Sequence, residues 1–515
     1  MKTKKSTFNS IAFNGTAVVF ACLIGITPNA QAQGTWLGSA TDHNESNTAN
    51  WFGGIRPANW TMVTFDANVV DGLFNVDTYP YFVSGLTLAS SLTKDITIGG
   101  STLFTGDANI DMSAAGANLT VNANLAMYGA VSIWDVGSGR TLTLNGNVKD
   151  WDHKFIKNGL GTAVLAGANS NTGGTSINAG TLVVSNADSL GIGNVVINNG
   201  GTLYVNQQWV LHGVNPYTNL EGTTPGVTNV TVNAGGQLAL DPINGFANGV
   251  MNLYLNGGSV TGGNSDVSYG ALYLYNGNEQ ITAGGITNSS ISGNLGITGN
   301  NNTITVDSGS SLNITGVLKD GQWGGGGFIK AGAGTLMMSS SNTYSGATLI
   351  QNGTLLVNNA TGSGMGPGNV TVQSGATLGG TGSISGNITV QSGGMLGGTG
   401  SISGNVALQS GALFSGTGVI SGNVTFDSGA KALFVTNSTL NITGTLTLND
   451  TVVQLPVALP IGFHTLATCT GPINGAFAST PIFDRGSMGY DGKIYVEGNQ
   501  VILKVFLRGT VMRFR

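Results

Sequence analysis

The strongest constraint in this sequence is an internal repeat of 18 residues. Gly368-Asn369-Val370-Thr371-Val372-Gln373-Ser374-Gly375 returns from Gly386, again from Gly404, and in weakened form from Gly422. The matching positions form columns: Val370, Ile388, Val406 and Val424; Val372, Val390, Leu408 and Phe426; Ile384, Ile402 and Ile420. In each copy the first two apolar positions are two residues apart with Thr or Ala between, the alternation of a strand with one face inward. A unit this short cannot enclose a core of its own. Stacked in parallel at about 4.8 Å, neighbouring units can pair backbone groups and align like side chains, which is one coil of a solenoid. A flat meander of hairpins would not require chemically identical residues at every eighteenth place. Stacking also predicts an amide ladder at Asn369, Asn387, Asn405 and Asn423. Gly375, Gly393, Gly411 and Gly429 should share a turn that needs positive φ.

A longer duplication overlies the short one. Leu142, Leu144, Gly146, Lys149 and Asp150 return as Leu312, Ile314, Gly316, Lys319 and Asp320. After a short insertion, Phe155-Ile156-Lys157-Asn158-Gly159-Leu160-Gly161-Thr162 matches Phe328-Ile329-Lys330-Ala331-Gly332-Ala333-Gly334-Thr335. The match continues through Asn169, Gly173, Thr175, Ile177, Gly180, Thr181 and Leu182, with partners Asn342, Gly346, Thr348, Ile350, Gly353, Thr354 and Leu355. Composition fits the same architecture. Of 515 residues 84 are glycine and only 8% are charged, against roughly 25% charged in ordinary domains. The 40% of hydrophobic residues still supplies a continuous core, so disorder is excluded, and no stretch after the first 32 residues has helical periodicity. The expected fold is all-β: a right-handed parallel β-helix over about 85–450, with 18-residue coils at 368–439, a cap over 33–84 and a β-rich C-terminal cap over 451–515. Its length would be roughly 80–100 Å.

The pattern Lys157, Gly159, Gly161, Thr162, Asn169, Gly173, Thr175, Gly180, Thr181, Leu182, repeated from Lys330 to Leu355, resembles the autotransporter-associated β-strand repeat, with best copies at 156–182 and 329–355. The opening (Thr35-Trp36-Leu37-Gly38, Ala49-Asn50-Trp51, Val63-Thr64-Phe65-Asp66) and the closing segment around His464-Thr465-Leu466 and Tyr490-Asp491-Gly492 are similar to proteins carrying it. The resemblance implies a passenger-type β-helix at or beyond the cell envelope, with an adhesive or scaffolding role. The residues after Ala458 are too few for a membrane barrel of roughly a dozen strands, so another export route is expected.

Residues 1–32 read as an export signal. Lys2, Lys4 and Lys5 are followed by the apolar run Ala17–Ile26 and by Ala30-Gln31-Ala32. The run is about half of the roughly 20 residues that cross a bilayer, so no transmembrane segment is expected in the mature chain. The expected location is the cell surface, the medium or the periplasm. Removing three lysines and no acid takes the net charge from −5 to −8. Without a basic stripe, nucleic acid is not an expected partner. Cys469 would remain as a single cysteine, so no intrachain disulfide is expected.

Many parallel β-helices cleave polysaccharides, and a polysaccharide lyase or hydrolase is the alternative reading. Such chemistry needs converging acids or an acid beside a basic residue. The four glutamates (Glu45, Glu221, Glu279, Glu497) are scattered. His43, His153, His212 and His464 have no ligand spacing, and Gly262-Gly263-Asn264-Ser265-Asp266 is an isolated partial match to a calcium-binding repeat. No catalytic residue, metal or cofactor is therefore expected. The chain reads as a non-enzymatic, adhesin-like structural protein, with envelope or host glycans or proteins as partners. The candidate glycan-contact patch is Asp150, Trp151 and Asp152 with Trp323 in the second copy, a ring platform beside carboxylate acceptors. Trp36, Trp51, Trp60 and Phe65 are expected to plug the first coil, because an exposed strand edge invites aggregation. The mature chain should begin at Gln33. N-terminal sequencing of exported protein checks this, and a start at Met1 or at an acylated Cys22 would refute it.

Overall fold

The computed structural model describes residues 34–149, 152–207, 210–211, 227, 229–241, 248–262, 272–275, 280–321, 325–433, 439–455, 460–478, 482–483 and 490–507. The expected leader over residues 1–32 and the expected start at Gln33 lie outside these residues. The molecule is a parallel β-solenoid, and its only helical pieces among the described residues are the short turns Thr48–Asn50 and Phe52–Gly54.

Each 18-residue coil lays down three strands. Val370–Val372 lies on a first face, Ala376–Gly380 on a second and Ser383–Ile384 on a third. The registers match the repeat. Val370 pairs with Ile388, Ile388 with Val406 and Val406 with Val424, all in parallel. These side chains are at most 1% exposed, while Thr371 and Thr389 between them are partly exposed. Alternation therefore does what the sequence implied: Val and Ile, whose branched side chains suit a pleated surface, fill the interior, and Thr faces out.

The first-face ladder starts where Gly34–Thr35 pairs with Val63 and Thr64, and continues to Leu446–Leu455 against Ile473–Phe477. The second face runs from Leu73–Val76 to Ile482–Phe483. Parallel pairing thus extends beyond the repeated stretch at both ends, because pairing requires apolar inward positions rather than identical ones. Insertions leave the ladder intact, and Val195 pairs directly with Val230. One connected apolar core runs from Trp36 to Val505. At the far end Gly462–Cys469 pairs in parallel with Leu440–Ile442, then antiparallel with Gln500–Leu507, which in turn pairs with Tyr490–Glu497. That hairpin turns the third face into an antiparallel closing sheet.

Gly375, Gly393, Gly411 and Gly429 have φ of 77°, 77°, 81° and 82°, the left-handed turn the column predicts. The asparagine column differs from expectation in its bonding. Asn387 Nδ2 reaches Asn369 Oδ1 at 3.3 Å, but Asn405 and Asn423 use backbone N–H groups to bond the Oδ1 of the preceding Asn at 2.9 and 2.8 Å. The turn brings the backbone N–H closer to the amide oxygen than the next side chain. A side-chain ladder of the expected kind occurs elsewhere. Asn178, Asn198, Asn233 and Asn256 each donate Nδ2 to the Oδ1 of the preceding member, beginning with Asn158, at 2.9, 2.7, 2.8 and 3.2 Å.

At the N-terminal end Trp36, Trp51 and Phe65 are at most 1% exposed and pack with Phe74. Both indoles are satisfied: Trp36 Nε1 donates to the Leu73 carbonyl and Trp51 Nε1 to the Glu45 carbonyl. Trp60 is not part of this plug. It is 50% exposed and has a φ of 65°, a left-handed residue just before strand Thr61–Phe65 that turns its ring outward.

Replacing Val390 by Asp places a charge in a dry column and should cost several kcal/mol. The same change at outward Thr389 should alter stability by about 0.5 kcal/mol or less. Denaturant midpoints of the two variants check this, and equal sensitivity would contradict the observed register.

Candidate functional site

The duplicated segment is where the sequence is most specific, and its lysine and asparagine bond across coils. Strand Lys154–Asn158 pairs with Thr175–Ile177, and strand Gly326–Ala331 pairs with Thr348–Ile350. By alternation Lys157 and Lys330 fall on inward positions, and both are 0% exposed. Lys157 Nζ donates to the carbonyls of Asn158, Gly159 and Ala179 at 2.7, 2.8 and 3.2 Å. Lys330 Nζ does the same to Ala331, Gly332 and Asn352 at 2.9, 2.7 and 3.0 Å. An ammonium group has three protons, and here each finds a carbonyl at a turn, two on its own coil and one on the next. Burial pushes Lys157 down to about 8, with Asp135 opposing, and burial alone pushes Lys330 down to about 8.

The glycines after each lysine build this cage. Gly159 and Gly332 have φ of 72° and 73°, turning their carbonyls toward Nζ. A Cβ on Gly161 would lie 2.2 Å from the Gly137 carbonyl oxygen, and on Gly334 the same distance from that of Asp307. The repeated asparagine links three coils. Asn169 Oδ1 accepts from the Val148 N–H at 2.9 Å, and its Nδ2 donates to the Ser189 carbonyl. Asn342 bonds the Leu318 N–H at 2.8 Å and the Gly364 carbonyl at 2.6 Å in the same way. Thr175 and Thr348 are buried, and Thr348 Oγ1 lies 2.7 Å from the Tyr344 hydroxyl. Sequence reasoning noted these lysines as motif letters and missed their burial. The available signal was a Lys two places after an inward Phe, followed by Gly-x-Gly-Thr.

Residues 155–184 and 328–357 match the model of the passenger-associated-transport-repeat. The chain carries two passenger-associated transport repeats. Each spans the first two faces of two successive coils, and its lysine and asparagine make coil-to-coil bonds. No curated protein matches the chain.

The candidate glycan patch is only partly visible. Asp150, Trp151 and Trp323 lie outside the described residues. Asp152 is exposed with φ of 88°, and its Oδ1 accepts from Thr172 Oγ1 at 2.9 Å. In the second copy Asp320 Oδ1 accepts from the Gly326 and Ser345 N–H groups at 3.0 and 2.7 Å. Both carboxylates anchor loops to the body of the solenoid.

Of the four glutamates, Glu221 and Glu279 lie outside the described residues and Glu497 is exposed on the closing hairpin. Glu45 is buried and pairs with Arg56 Nε at 2.5 Å, accepting also from the Thr78 N–H and hydroxyl. Its oxygens are thus occupied in tying the opening segment to the next coil. Among the described residues no three His, Cys, Asp or Glu side chains converge as metal ligands, and no helix is long and apolar enough to cross a membrane.

Lys157→Met would leave three turn carbonyls unpaired and should cost about 2–4 kcal/mol. Lys330→Met, many coils away, should add to it within about 0.5 kcal/mol. Between pH about 8 and 10.5 the folded lysine gives up its proton while the unfolded one keeps it. The unfolded chain then binds more protons, so the lysine's contribution rises with pH across that window and is flat below it. Denaturation of wild type and Lys157→Met at pH 7 and pH 10 should show the stability gap widening; a narrowing gap would contradict the shift.

Proposed function

We propose that this chain is an exported, non-enzymatic passenger-type rod that acts as an adhesin-like structural spacer at or beyond the cell envelope. The observation that carries the reading is the placement of two passenger-associated transport repeats within one unbroken parallel ladder. The outer faces support it. They are ladders of Asn, Thr and Ser rather than charged clusters, a large surface of weakly polar groups suited to many shallow contacts. A solenoid coil touches chiefly its neighbours, so length and contact area can vary coil by coil without loss of fold.

Two measurements test this. The tagged protein, produced in a Gram-negative host, should be degraded by protease added to intact cells or spheroplasts; protection from it, as for a cytoplasmic protein, would refute export. Deleting one coil, Gly386 to Ser403, should shorten the rod by about 4.8 Å and preserve both folding and surface binding. An enzyme with acids set on successive coils would lose activity on that deletion. Purified protein is expected to leave pectins, alginates and other envelope polysaccharides uncleaved, and product release abolished by the deletion would overturn the reading.

A further inference from the structure

Near the N-terminal end, the third face carries a column of outward side chains that changes character from coil to coil. Strand pairing sets Phe82 against Phe104, Phe104 against Ala126 and Ala126 against Lys149. Trp60 precedes them. Its backbone N–H donates to the Phe82 carbonyl at 3.0 Å, and its indole lies on the Phe82 ring with centroids 4.7 Å apart. Phe82 and Phe104 follow at 5.1 Å. Along the axis the column therefore reads ring, ring, ring, methyl, ammonium.

The methyl of Ala126 interrupts a run of long side chains and leaves a cavity of about 220 Å³, walled by Tyr79, Phe104, Met127 and Tyr128 and bounded by Lys149. Tyr79 is 71% exposed and Tyr128 45%, and each packs against Phe104 at 5.3 and 5.8 Å. Tyr128 also meets Trp60 at 6.4 Å, joining the cavity to the exposed indole. Trp60 is held in the left-handed region, where a bulky residue is strained. Burial does not account for that strain, because half of the side chain is in solvent.

The chemistry of the walls defines an occupant. Aromatic faces in a row bind flat rings with apolar C–H faces, which pyranose sugars possess. The cavity is smaller than the roughly 300–1,000 Å³ typical of drug-sized ligands and suits one sugar ring. Successive coils, about 4.8 Å apart, space the side chains at intervals close to the length of one sugar in an extended chain. Lys149 is exposed, and the ion pairs among the described residues, His43–Asp71 and Arg56–Glu45, do not involve it. Lys149 lines the gap, and an ammonium there calls for an anion. We propose that this groove binds an acidic polysaccharide, with one uronate ring in the Ala126 gap, its carboxylate on Lys149 Nζ, and the adjoining sugars on Tyr128 and Trp60. The groove gives a ligand class to the adhesive reading above and rests on that reading for its purpose. With a net charge of −5 the chain has no general attraction for polyanions, so recognition depends on this one cation.

The test uses the full chain and a galacturonate hexamer, with a β-1,4-linked glucose hexamer as the neutral arm. Titration calorimetry and tryptophan emission report binding. The uronate oligomer should bind and the neutral one more weakly, and binding should fall in about 0.5 M salt. Lys149→Gln should weaken uronate binding about tenfold while leaving the neutral oligomer unchanged. Ala126→Phe completes the column of rings, changes no charge and should abolish binding of both at an unchanged thermal midpoint. Tyr128→Ala should weaken both. Absence of binding to either oligomer, or binding that survives Ala126→Phe, overturns the groove. Equal binding of both oligomers with no effect of Lys149→Gln overturns the acidic specificity. If the groove fails while the protein still reaches the cell exterior, the spacer reading stands alone; retention in the cytoplasm with an active groove would reverse that outcome.

Discussion

Everything in this molecule depends on parallel pairing of each coil with the next. A buried backbone N–H or C=O must find a partner, and in a solenoid that partner is on the neighbouring coil at the same position. This requirement aligns equivalent residues into columns, and a column amplifies whatever its members share. Valines and isoleucines give a dry interior, as at Val370, Ile388, Val406 and Val424. Asparagines give a chain of amide bonds, as from Asn158 to Asn256. Glycines permit a left-handed turn at Gly375, Gly393, Gly411 and Gly429.

Turns are the weak point of such a stack, because their carbonyls point where no strand can meet them. The two passenger-associated repeats meet this need with a buried lysine and a bridging asparagine. Lys157 and Lys330 each collect three turn carbonyls, and Asn169 and Asn342 each span the coils on either side. A buried ammonium is expensive unless every proton has an acceptor, and here every proton has one. A neutral group stands at a similar corner: the two Nδ2 protons of Asn302 are shared among the carbonyls of Thr298, Gly299 and Gly327. Collecting turn carbonyls on one nitrogen is thus a device the fold uses at three corners among the described residues, twice with lysine and once with asparagine.

The ends need different chemistry, since a terminal coil has one unpaired edge. At the start, Trp36, Trp51, Phe65 and Phe74 interlock edge to face, and buried Glu45, paired with the partly exposed Arg56, fixes the opening segment to the following coil. At the finish, the strand Gly462–Cys469 switches from parallel to antiparallel pairing and the hairpin closes the sheet. Cys469 is buried there as a small apolar side chain, its thiol pushed up to about 11 by desolvation.

The sequence by itself determined the all-β class, the parallel stacking, the register of the 18-residue coils and the inward columns. Each follows from a period and from alternation, which are properties of the chain written in one dimension. It also contained the letters of the transport repeat. What those letters do was decided only by the tertiary structure. Alternation from the inward Phe155 places Lys157 inside, but which three carbonyls it meets depends on where the turns of two coils arrive. The same holds for the asparagine column at Asn369 to Asn423, where turn geometry chose the backbone N–H over the side chain as donor. The four N-terminal aromatics looked alike in sequence, yet Trp60 left the plug because a left-handed residue before its strand turned it out. The groove beside it is a product of register: Phe104, Ala126 and Lys149 are far apart in the chain, and stacking alone makes them neighbours.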